Sequence, residues 1–143
     1  MNTDTKKAAG WLIIILPTVI YGGFSILNLI ITKNVGIVEN PLRKDFFRAG
    51  HAHAGILLML SLICYLYVDK ASLSTSLKSI VKTFIPVSAI FIPAAFFFSV
   101  LSPTAEEPNS FIYLAYLGAL TLAIGLLILG IGLIRSPKKE DEH

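Results

Sequence analysis

Four stretches of this chain, residues 11–31, 46–68, 84–101 and 111–133, are each long and apolar enough to cross a bilayer. A membrane helix needs about 20 mainly apolar residues to pass through about 30 Å of hydrocarbon. Within lipid only helices and closed barrels satisfy the backbone, and none of the four runs alternates as a barrel strand would. The expected fold class is therefore all-α: a polytopic membrane protein, one domain over residues 1–143, folded as an antiparallel four-transmembrane-helix bundle. Composition removes the competing classes. Hydrophobic residues make up 55% of the chain and charged residues 15%, whereas a soluble domain has roughly 45–50% and about 25%. A disordered chain would need low hydrophobicity and high net charge.

The few charges are informative because of where they fall. With four spans, both termini and the middle connection share one side, and that side holds eight of the twelve Lys and Arg. The other side holds Lys33, Arg43, Lys44 and Arg48. Positive-inside asymmetry then puts both termini in the cytoplasm. It also accounts for the net charge of +3 without a nucleic-acid partner. Lys6 and Lys7 precede the first run as in a signal peptide, but the run outlasts an h-region of about 7–15 residues. No Ala-x-Ala site follows, so a retained first span is expected. Cys64 is the single cysteine, which excludes an internal disulfide and a redox CxxC pair.

Punctuation within the chain supports helices. Asn40 followed by Pro41 reads as an N-cap with proline at the first helical position. Pro17, Pro86 and Pro93 fall inside spans, where bends are expected. The stretch 69–83 reads as a polar linker and 136–143 as a mobile charged tail. Gly118, Gly125 and Gly132 recur every seven residues, an arrangement that holds one seam of small residues against a left-handed partner. That seam is a packing interface, either within the bundle or between protomers.

One segment places expensive groups inside a span: Arg48-Ala-Gly-His51-Ala-His53-Ala-Gly55. Ionisable side chains cost on the order of 2.5–3.5 kcal/mol at a span centre and less near its ends. At 100° per residue, positions i and i+2 point about 200° apart, so His51 and His53 face opposite sides of one helix. They cannot share a metal unless the helix breaks. The small residues between them leave room for a backbone, a water or a flat cofactor.

The opposed His-x-His resembles the pair in a membrane helix of haem–copper oxidases, where each histidine ligates a different haem. The resemblance is confined to His51 and His53, and it implies haem ligation with Arg48 near a propionate. The only further histidine is His143, so a bis-histidine haem requires a homo-oligomer or a partner subunit. Residues 48–55 also resemble a motif of small four-span bacterial membrane proteins of unassigned activity. That resemblance implies the same topology and a bacterial cytoplasmic membrane. Size and span count are similar to the trimeric membrane enzymes of eicosanoid and glutathione metabolism, but the Asn and Glu that follow their Arg-Ala start are missing here.

Several functions remain open at this stage. A non-haem divalent metal site would join His51 or His53 to Glu106 and Glu107, which fall on the same side of the membrane; Asn28, Tyr113 and Tyr116 fall near that level. The histidines otherwise serve as structural hydrogen-bonding groups or handle protons. A haem- or metal-binding accessory is the leading expectation. The alternative is a non-catalytic scaffold or subunit of a larger membrane complex, docking through the span-four glycines. A small proton-coupled transporter ranks last, because no acidic residue lies within an apolar run. No P-loop, G-x-S-x-G, H-E-x-x-H or dinucleotide fingerprint is present, so no catalytic set is expected.

Overall fold

The computed structural model describes residues 1–135; the expected tail at 136–143 lies outside the described residues. Five α-helices follow in order: α1 (Thr3–Ile31), α2 (Val35–Val38), α3 (Pro41–Val68), α4 (Thr75–Ser99) and α5 (Tyr113–Ile134), the last preceded by one 3-10 turn, Ser110–Ile112. No strand occurs among the described residues. Among these residues four helices are long and apolar enough to cross a membrane.

The helices begin outside the apolar runs because good caps lie there. The Asn2 side chain accepts from the Thr5 N–H, so α1 takes in Lys6 and Lys7 ahead of its apolar stretch. Ser74 caps α4, and more than half of the expected 69–83 linker is helical as a result. Asn40 caps α3 by accepting from Arg43 N–H, with Pro41 in the first turn as expected. Helices α1 and α4 continue through Pro17, Pro86 and Pro93. After α1 the chain turns through Lys33 at φ 51°, while Asn34 N–H reaches back to Leu29 O. This Schellman-type stop normally takes glycine.

Packing follows chain order. Helix α4 is central and lies against α3 and α5; α1 lies against α3, with no comparable contact to α4 or α5. One apolar cluster joins Ala9 and Leu12 of α1 to Leu57, Leu58 and Tyr65 of α3 and Ala89 and Ile92 of α4. A second joins Cys64 and Val68 to Val81, Ile85 and Leu129. Gly118 and Gly125 of span four meet α4, and Gly132 meets the connection just before it, in reverse sequence order. A Cβ at Gly118 would stand 2.6 Å from Ile92 Cγ1, one at Gly125 2.6 Å from Ile85 Cγ1, and one at Gly132 2.4 Å from Leu73 Cγ. Neighbours within the chain therefore fill this seam, and it is not a free surface for a second copy or partner. The Ser61 and Ser88 hydroxyls bond to their own helices, at Leu57 O and Ile85 O, and the Tyr65 hydroxyl donates to Lys82 O of α4, so among the described residues no buried side-chain nitrogen or oxygen lacks a partner.

Two polar knots tie the ends. At one, the Asp69 carboxylate accepts from Asn2 N–H at 2.7 Å and from the Thr5 hydroxyl at 3.2 Å, with Lys82 Nζ at 3.4 Å. Partial burial raises the Asp69 pKa, but the Asn2 N–H, the Thr5 hydroxyl and the Lys82 charge outweigh it and hold the carboxyl below its ordinary value. At the other end Arg43, only 9% exposed, donates from Nε to Val100 O at 2.9 Å and from its terminal nitrogens to Gly36 O and Leu101 O. A cation at the α4 C-terminus also meets the negative end of that helix dipole.

Candidate functional site

The 48–55 segment is continuous helix in α3, so its side chains divide between two neighbours. His51 turns toward α1, where Gly22 and Gly23 leave a notch for the imidazole. A Cβ at Gly23 would stand 2.7 Å from His51 Nε2 and 2.8 Å from Cε1, so position 23 has no room for a side chain with the ring in place. His53 turns the other way and stacks on Phe96 of α4, with ring centroids 5.0 Å apart. Its Nδ1 is 2.7 Å from Ala49 O. A carbonyl can only accept, so Nδ1 donates in this hydrogen bond. The two histidines thus occupy opposite faces of α3, as their spacing predicts.

A cleft of about 780 Å³ opens between α1 and α3 beside His51. Its α1 wall is apolar, formed by Ile20, Phe24, Ile26 and Leu27; its α3 wall carries Asp45, Arg48 and His51. Asp45 and Arg48 are three residues apart, close enough on a helix to pair. Yet neither has a side-chain hydrogen bond or ion pair among the described residues. Next to the cleft, and sharing His51 and Ala52 with it, an apolar trough runs along α3 past Gly55, Ile56 and Met59 to Ile63.

Spacing along α3 follows from helix geometry. Arg48 lies about 4.5 Å and His51 about 9 Å along the axis from Asp45. Arg48 is exposed, and its long stem can carry the guanidinium back toward the start of α3.

The expected carboxylate–histidine metal site is not assembled. Among the described residues no group of three or more His, Cys, Asp or Glu stands where it could hold a metal ion. The reason is the 101–109 loop, which Asn40 pins by donating to Pro103 O and Ala105 O at 3.2 and 2.9 Å. That fixes the loop at the level of residue 40, roughly 16 Å along the α3 axis from His51. Glu106 lies there with Glu39 in a separate groove of about 620 Å³, and Glu107 is exposed. Tyr113 and Tyr116 are exposed on α5 and lie near each other, with ring centroids 6.2 Å apart.

The sequence reading missed the Gly22–Gly23 pair, Asp45 and Arg43. The adjacent glycines in the first run were the available signal for the first of these. Arg43 follows the Asn40–Pro41 helix start by a few residues, and only the folded chain gives it partners. Comparison with protein-family models, with curated proteins and with solved structures gave no match for this chain. Its class therefore rests on the fold: the described residues are all-helical, with four helices among them long and apolar enough to span a membrane.

Proposed function

We propose that this is a multi-pass protein of the bacterial cytoplasmic membrane, both termini cytoplasmic, that binds an amphiphile drawn from the bilayer. The polar head lies against Arg48 and His51, and the tail follows the α3 trough. One observation carries this reading: two unpartnered charged side chains share a cleft with an apolar wall, and the cleft continues into an apolar trough. Charged groups inside a span cost free energy unless a partner offsets it, and a bound head group is such a partner. The test is photocross-linking with phospholipids that carry a diazirine in the acyl chain, followed by peptide mapping. Cross-links should concentrate in residues 20–27 and 45–63 and be lost in Ala52→Trp, which fills the junction of cleft and trough. Uniform labelling of all four spans, unchanged in Ala52→Trp, would overturn the reading.

A second reading follows from His53. Its Nδ1–H is bound to a backbone carbonyl and its Nε2 is free, the state of an imidazole ready to ligate a haem iron. A bis-histidine centre would draw its other imidazole from a second copy or a partner subunit. A Soret band lost in His53→Ala and kept in His51→Ala supports it; a pure protein with no such band sinks it.

A further inference from the structure

We infer that the amphiphile is a phospholipid with a primary ammonium in its head group, held in register along α3. The inference rests on the amphiphile reading above and adds the identity of the head.

The order of side chains along one face of α3 carries the argument. Inward from the aqueous end come a carboxylate, Asp45, then a guanidinium, Arg48, then an imidazole, His51, and after these the apolar trough through Gly55 and Met59 to Ile63. Each polar step is about 4.5 Å along the helix axis. An aminophospholipid read inward presents the complementary series: an ammonium, a phosphate, ester carbonyls that accept hydrogen bonds, then acyl chains. Ammonium therefore meets Asp45, phosphate meets Arg48, and an ester oxygen lies within reach of a His51 N–H. The trough from His51 to Ile63 is about 18 Å long, slightly more than half of a hydrocarbon core of about 30 Å, so it suits the chains of one leaflet.

The charge pattern also discriminates against other lipids. An anionic head without an amine would satisfy Arg48 and leave Asp45 facing like charge. A trimethylated amine carries no N–H to donate to the carboxylate. Asp45 and Arg48 remain apart, although three residues on a helix would let them pair. This leaves both charges available to one zwitterionic occupant. Both side chains are exposed, so replacing them leaves the core intact.

The test is competition for the acyl-diazirine cross-link in the full-length protein reconstituted in nanodiscs, using phosphatidylethanolamine, phosphatidylglycerol and phosphatidylcholine with identical acyl chains. Wild type should favour phosphatidylethanolamine by about fivefold, the scale of one partly exposed charge contact. Asp45→Asn should abolish that preference by lowering phosphatidylethanolamine cross-linking to the level of the other two lipids, and Arg48→Ala should weaken all three lipids. Thermal unfolding of each variant establishes that it is folded. Equal use of the three lipids by wild type, or a preference that survives Asp45→Asn, would overturn the ammonium assignment while leaving the amphiphile site standing. Absence of cleft labelling with every lipid would overturn both.

Discussion

Replacing Arg43 with alanine tests the polar knot at the start of α3. The guanidinium donates to Val100 O at 2.9 Å and to Gly36 O, with a longer contact to Leu101 O at 3.4 Å. It joins the start of α3 to α2 and to the end of α4. Hydrogen bonds from a charged donor contribute about 1.5–3 kcal/mol each, and the longest of the three adds little. Two sound bonds, with some recovery as water reaches the freed carbonyls, give a loss of about 3 kcal/mol. That corresponds to a fall in Tm of roughly 6–12 °C for a chain of this size. The assay is thermal unfolding in a mild detergent followed by circular dichroism. Arg43→Lys keeps the charge but not the planar fork, and should lose about half as much. Arg48→Ala, which removes no hydrogen bond or ion pair among the described residues, should stay within about 0.5 kcal/mol of wild type. Equal losses from Arg43→Ala and Arg48→Ala, or none from Arg43→Ala, would refute the assignment.

Other perturbations have defined outcomes. Asp69 has a lowered folded pKa, so its contribution is present above the unfolded value of about 3.9 and is lost as pH falls through the folded value. Asp69→Asn should therefore cost about 1 kcal/mol at pH 7, after allowance for solvent screening, and a chemical-denaturation series should show the difference from wild type closing in acid. Gly118→Val drives a side chain into Ile92 and should cost about 1–3 kcal/mol in the same unfolding assay, whereas Gly130→Ala, which meets nothing within 4 Å, should be well tolerated. Lys33→Gly relieves a left-handed residue and should raise stability by about 1 kcal/mol, visible as a higher Tm.

The four spans were legible because hydrophobic length is a local property of the chain. The opposed placement of His51 and His53 was legible too, since it follows from helical geometry alone. Helix ends were less so: Lys6, Lys7, Lys78 and Lys82 look like linker, yet Asn2 and Ser74 cap helices that begin beyond the apolar runs. Arg43 read as a topology charge because its acceptor, Val100 O, is 57 residues away. Glu106 and Glu107 share a side of the membrane with the histidines, but side alone does not fix depth. The Asn40 contacts that hold their loop away from His51 exist only once the chain has folded.

The attachment of α1 sets a timetable for synthesis. Thr5 and its acceptor Asp69 are 64 residues apart, an interval of roughly 3–13 s at translation rates of about 5–20 residues per second. Until then α1 has neither its polar anchor nor the α3 surface on which it rests. It must persist in the bilayer as a solitary helix, supported only by its own hydrophobicity. Its most apolar window has a mean hydropathy of 2.0 and none of it is buried in the finished protein. The helix that waits longest for its neighbours is thus the one whose apolar window they cover least, and it supplies the apolar wall of the cleft against α3.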